Sequence, residues 1–182
     1  MSDICIIGHI SIDKIYNNKI KVESIGGPPC YSGLTCVNEG LDVEIRLIDY
    51  REVKEEFDAI YSIGMFEAVG YRNYKQFFEV VRRCLKKEGA FLLHTIGNDQ
   101  STTTVDPWIN KYIFPNGMMP SPKQITRACE GFFSIDDWHN FGPDYDKTIM
   151  CWYQNFTKNY KLLKKKYDER FYRMWTYWLL TS

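Results

Sequence analysis

Three polar positions close short apolar runs in this sequence, and their types and placement are what could do chemistry. Asp49-Tyr50 follows the run at 43–48, and Glu67 sits in the turn Gly64-Met65-Phe66-Glu67 after the run at 57–63. His94 ends the run Ala90-Phe91-Leu92-Leu93 and is followed by Thr95-Ile96-Gly97. Two polar groups at adjacent strand ends could form a small polar pocket with apolar walls. Ligands gather at the carboxyl ends of strands in open α/β sheets. A histidine in an apolar strand has an equally physical second reading, as a hydrogen-bonded core residue, and the sequence leaves both open.

The elements that must carry these groups follow from periodicity. Residues 4–8 (Ile-Cys-Ile-Ile-Gly) read as a short buried strand, and alternation on either side of Asn17-Asn18 predicts a hairpin. Gly26-Gly27-Pro28-Pro29 breaks the chain, and residues 31–38 can start a short helix. Runs at 43–48, 57–63 and 90–95 read as strands, and 132–136 as a further one. Between them, Tyr74, Phe77, Phe78, Val81 and Leu85 share one face of a helix expected over 71–87. Strand, helix and strand at this spacing make a βαβ unit and a parallel sheet. Ser121 and Pro122 supply an N-cap and first position for a helix over 121–129. Phe156, Tyr160, Leu163, Tyr167, Phe171, Met174 and Trp178 form a stripe that predicts one long helix over 146–180. Lys158, Lys161, Lys164, Lys165, Lys166, Arg170 and Arg173 surround that stripe, as a solvated face or as a surface for anionic headgroups.

Composition narrows the classes. The chain has 182 residues with 23 basic and 23 acidic side chains, so its net charge of zero argues against a general nucleic-acid binder. No run approaches the length of a bilayer-spanning helix, and the opening residues lack the basic start of a signal peptide. Six scattered cysteines without a C-x-x-C pair read as free thiols of a reducing cytoplasm, and no metal site is expected. Only Tyr16, Tyr31 and Tyr50 are aromatic before Phe57, whereas all five tryptophans follow residue 107. That shift suggests two segments, residues 1–37 and 38–182. Aromatic walls in the second would suit an apolar pocket or a cationic intermediate. No G-x-G-x-x-G, Walker A, H-E-x-x-H or G-x-S-x-G occurs.

Residues 38–180 resemble the C-terminal part of the cyclopropane-fatty-acyl-phospholipid synthase family. The likeness is carried by GLDVEIRLIDYRE, FDAIYSIGMFEAVG, FLLHTIG, VDPWINKYIFPNG, DDWHNFGPDYD and ERFYRMWTYWL. The resemblance implies an α/β fold, a class I (Rossmann-like) methyltransferase sheet that uses S-adenosylmethionine (SAM). It implies methylene transfer to the cis double bond of phospholipid acyl chains, with bound bicarbonate taking up the proton as the ring closes. Glu67, His94, the Ile96 backbone and Tyr145 match the family's bicarbonate-holding positions, with Glu67, His94 and Tyr145 as catalytic residues. Asp49 and Tyr50 match the region that cradles the adenine. The implied partner is phospholipid at the inner membrane surface, reached peripherally from the cytoplasm, and a homo-oligomer is left open.

Three departures accompany the match. The family's F-E-H-V-G reads Phe66-Glu67-Ala68-Val69-Gly70 here, and the Gly-rich strand-loop-helix that binds SAM is missing, as is the family's upstream bicarbonate Cys. The sheet is therefore expected to be incomplete, ending in a long C-terminal helix, with an exposed central edge and poor solubility. The chain is expected to be a truncated chimera, inactive alone. In place of the missing half, ICIIGHISID and GGPPCYSG resemble the opening of a ribokinase-type (PfkB) sugar kinase, whose sugar contacts match Asp13, Gly26 and Gly27. The competing functional readings are a non-catalytic fusion remnant, a lipid- or partner-binding module, and, more remotely, a sugar-kinase fragment.

Overall fold

The apolar run at residues 57–63 becomes strand β4 (Phe57–Ile63), and it organises the sheet. The computed structural model describes residues 4–8, 11–17 and 20–182, with the backbone alone for residues 4, 11–17, 20–26 and 28. Strand β1 (Ile4–Ile7) pairs in parallel on one side of β4, Ile4 opposite Ala59 and Ile7 opposite Ser62. Strand β5 (Leu85–His94) pairs in parallel on the other side, Ala90 opposite Ala59 and His94 opposite Ile63. Strands β2 (Ser11–Asn17) and β3 (Ile20–Gly26) form a separate antiparallel pair, as the hairpin reading expects, although its turn residue Asn18 lies outside the described residues. The side chain of Asp13 lies outside them too.

Helix α1 (Pro28–Asn38) follows β3, and helix α2 (Phe66–Val69) forms the turn after β4. Helix α3 (Tyr74–Cys84) covers the sheet with four residues of the face read from its periodicity, Tyr74, Phe77, Phe78 and Val81, all buried, and Cys84 is buried with them. Phe66 stacks on Tyr74 at 4.3 Å between centroids and meets Phe77 edge-on at 5.0 Å. Burying each such ring contributes roughly 1.5–3 kcal/mol. Helix α4 (Pro107–Tyr112) is capped by the Asp106 carboxylate, which accepts from Trp108 N and Ile109 N. Helix α5 (Pro122–Cys129) begins at Ser121 with a complete capping box closed by Gln124, and it adds Ile125, Ala128 and Cys129 to the core.

Several local expectations are corrected. The helix expected to reach residue 87 ends at Cys84, because Leu85 takes extended backbone and pairs with Phe57. Residues 43–48 form no strand: alternation alone cannot make a ladder without an edge to pair with. Gly33 of α1 lies beneath them, so close that a Cβ there would be 3.2 Å from Val43 Cγ1. Arg46 is held between Glu44 at 2.8 Å and Glu55 at 2.6 Å. Residues 132–136 are not a strand either. Phe133 lies on the core instead, 5.6 Å from Phe91 and 6.1 Å from Phe78.

The chain divides into two compact units, Met1–Ser134 and Ile135–Ser182. The second contains α6 (Gly142–Leu163), the long helix expected near the C-terminus, and α7 (Glu169–Thr181). The stripe is therefore broken once rather than continuous. Asp168 starts α7 by accepting from Phe171 N, and Tyr160 donates its hydroxyl to Asp168 O at 2.6 Å, pinning the turn. Across the bend the stripe residues Phe156 and Phe171 meet edge-on at 6.2 Å, and Tyr172, beside the stripe, lies 4.5 Å from Tyr160 and stacks on Phe156 at 5.5 Å. Among the described residues no helix is long and apolar enough to cross a membrane.

Candidate active site

The β4–β5 ladder determines what comes together at its carboxyl end. Ile63 pairs with His94, and Gly64 N donates to His94 O at 3.1 Å as the chain turns away. Gly64 makes that turn at φ 63°, a conformation that favours glycine. Three residues later Glu67 stands in the first turn of α2. Its Oε1 accepts the backbone N–H of Ile96 at 2.6 Å, and its backbone carbonyl accepts from Met118 N at 2.8 Å. Asn98 N donates to Pro120 O at 2.9 Å, so the strands' exit loops are stitched to one another around this glutamate.

The second carboxylate oxygen, Glu67 Oε2, is buried without a protein partner, and so are Ser62 Oγ and the Tyr74 hydroxyl. Burial, and then the charge of Glu67, push the Tyr74 hydroxyl up to about 12, so it remains a donor at neutral pH. His94 is exposed at the strand's end, not enclosed in the core, which corrects the structural reading of this residue. The Glu67 carboxylate on the Ile96 N–H and the strand-end residue His94 thus stand at one rim, residue types suited to holding a small oxyanion and accepting a proton.

The other sequence-derived residues fall elsewhere. Asp49 caps a short 3-10 turn, Tyr50–Glu52, and its carboxylate pairs with Arg51 at 2.5 Å. The hydrogen bonds from Arg51 hold Asp49 down at about 2. Tyr50 packs on Phe77, 5.7 Å between centroids, a turn along α3 from Tyr74, and burial raises its hydroxyl. Tyr145 belongs to the second unit, on α6, where it meets Trp152 edge-on at 5.8 Å. Sequence reasoning missed Ser62 and Tyr74. The one available signal for Ser62 was a polar residue inside an otherwise apolar strand, and for Tyr74 a hydroxyl on a helix face made of phenylalanines.

A parallel sheet in the order β1-β4-β5 with a polar rim at its carboxyl end is an open α/β arrangement of the kind that binds ligands at its strand ends. The chain belongs to the mycolic acid cyclopropane synthetase family, whose profile matches residues 33–182. It is 56% identical over 141 residues to the cyclopropane-fatty-acyl-phospholipid synthase of Escherichia coli K12, a match covering 78% of this chain and 37% of that enzyme. It is 34% identical over 151 residues to the tuberculostearic acid methyltransferase of Mycobacterium tuberculosis, covering 79% of this chain and 35% of that protein. Among solved structures, the cyclopropane synthase MmaA2 of Mycobacterium tuberculosis shares the fold at a TM-score of 0.66 and 20% identity, over 81% of this chain and 58% of that one. The mycolic acid cyclopropane synthase CmaA1, solved with SAH and CTAB, matches at a TM-score of 0.63 and 26% identity, over 74% of this chain and 52% of that one. The chain thus spans little more than a third of the length of these two curated relatives. The family match begins at residue 33 and gives no support to the sugar-kinase likeness of residues 1–37.

SAM is the cofactor of this family, and the described residues do not fit it at the expected place. Strand β1 leads into Gly8, where a Cβ would lie 2.8 Å from Pro29 Cδ and 3.0 Å from Pro29 Cγ. The first turn of α1 therefore closes on the strand end that would have to admit the cofactor. Pro28 and Pro29 also remove two N–H donors from that helix start, where an anionic group would otherwise bind. Asp49 is already engaged by Arg51.

Proposed function

We propose that this chain is the anion-holding, lipid-facing portion of a cyclopropane-forming methyltransferase. It gathers bicarbonate at the β4–β5 rim, for a reaction on the double bond of phospholipid acyl chains. The carrying observation is Glu67 Oε1 on the Ile96 N–H at 2.6 Å, beside the strand-end His94. A carboxylate on that amide occupies the position a bicarbonate oxygen would take. Bicarbonate therefore enters by receiving the amide from Glu67 and donating its own O–H to the freed carboxylate oxygen. Two anions at one rim repel unless a proton lies between them, and that shared proton is what the arrangement provides. His94 supplies a further donor. The division of the chain at residues 37 and 38 belongs to the same proposal: a foreign head replaces the cofactor-binding half.

Titrating the purified chain with 13C-bicarbonate and following the carbon resonance tests this reading. Saturable exchange is expected, weakened on the order of tenfold in Glu67→Gln, which exchanges an ion for a neutral amide. An unperturbed resonance with folded protein contradicts it.

A second reading, a lipid-binding module without chemistry, is favoured by one observation. Lys158, Lys161, Lys164, Lys165, Lys166, Arg170 and Arg173 are all exposed around the α6–α7 bend. It predicts salt-sensitive binding to anionic vesicles that is indifferent to substitution of Glu67.

A further inference from the structure

Tyr74 presents a problem that packing alone does not solve. Its ring lies in a layer with Phe66, Phe77 and Phe78, stacked on Phe66 at 4.3 Å, and phenylalanine would fill the same slot. The residue is 2% exposed, yet its hydroxyl has no protein partner, a costly arrangement for a polar group. The adjoining element offers the complementary fault. Glu67, next in sequence to Phe66, has one oxygen on the Ile96 N–H and the other buried and unpartnered. Ser62 Oγ, fully buried on the β4 face it shares with Ile60, is the third such atom of the first unit. The Tyr74 hydroxyl is close enough to feel the Glu67 charge, and a donor, an acceptor and a hydroxyl that can be either are the groups that one buried water would join.

We propose that Tyr74 is a positioning residue for Glu67: its hydroxyl donates, across one buried water that Ser62 also contacts, to Oε2, and so keeps Oε1 aimed at the Ile96 amide. The link is water-mediated because the hydroxyl and the carboxylate oxygen make no direct bond. It acts when the anion arrives. Glu67 must then release the amide without swinging away, and the buried side of its carboxylate is the side that can be held. This role rests on the reading of Glu67 as part of the anion site.

The test is a double-mutant cycle on the full chain. Tyr74→Phe keeps the ring and removes only the hydroxyl; Glu67→Gln removes the charge. Urea unfolding of the four proteins without added anion is expected to show coupling on the order of fivefold to tenfold in the unfolding constant. Strict additivity overturns the proposal. Bicarbonate titration of Tyr74→Phe is the second measurement, with affinity expected to fall on the order of threefold or more. Phe78→Leu, which weakens the same core, is expected to leave affinity unchanged, and an equal loss in both variants also overturns the proposal. If the unmutated chain fails to bind bicarbonate, the anion-site reading falls, and the unfolding cycle still decides whether Tyr74 and Glu67 are linked.

Discussion

The two flanks of β4 meet different fates. On the β5 flank, ten residues of strand run beside it, α3 and α5 cover the pair, and an aromatic layer from Phe66 to Phe133 fills the space between. On the β1 flank, four residues of strand pair with β4, and the segments beyond carry their apolar side chains in the open. Leu34 of α1 is 61% exposed and Leu47 is 85% exposed. Both flanks offer enough apolar residues; what separates them is whether those residues have a covering element. The division of the family's chemistry that we propose follows the same line. The rim between β4 and β5 holds Glu67, Ile96 and His94, and the β1 end is closed by Pro29.

Substitutions that treat the flanks alike would break this comparison. The largest expected effect is Phe77→Ala, which removes a fully buried ring at the centre of the covered flank and should cost about 3–5 kcal/mol in urea unfolding. Glu67→Ala should cost about 1.5–3 kcal/mol, since the Ile96 N–H loses a charged acceptor. Ser121→Ala should cost about 1 kcal/mol by removing both the cap of α5 and the bond to Ser101 Oγ at 2.6 Å. Leu47→Ser, on the open flank, should change stability by less than about 0.5 kcal/mol while raising solubility, read by sedimentation. A loss for Leu47→Ser comparable to that of Phe77→Ala would mean that the open flank is covered in solution.

Alkaline pH sharpens the contrast at one residue. The Tyr74 hydroxyl is raised to about 12, above its ordinary value near 10. The folded state thus binds that proton more tightly than the unfolded chain does. Its contribution is complete below about pH 10 and is lost as pH rises toward 12. Urea midpoints across that interval should fall less steeply in Tyr74→Phe than in the unmutated chain. Asp49 has the opposite sign: held down at about 2, it supports the fold above about pH 4 and stops doing so as pH falls.

The sequence made β4, the buried face of α3 and the Ser121 cap readable because each depends on local pattern alone. It misled wherever an outcome depended on a neighbour. Residues 43–48 alternate like a strand, but a strand exists only beside another, and none of the described residues supplies the edge. The break between α6 and α7 carried its own signal, Asp168 three residues before Phe171, outweighed by the continuity of the apolar stripe. For the candidate site, residue types at strand ends pointed to Glu67 and His94, and the family resemblance added Ile96 and Tyr145. The hydrogen bond from Ile96 N and the orphaned hydroxyl of Tyr74 are properties of packing, which no spacing in the sequence encodes.

The central claim is that the chemistry of this family is divided here, with the anion rim kept and the cofactor cradle closed. Calorimetric titration of SAM, and of SAH as a second ligand, into the folded chain tests it most directly. The account predicts no saturable heat for either ligand. Saturable binding to the chain alone would contradict it, by showing that the β1 end opens to the cofactor despite Pro28 and Pro29.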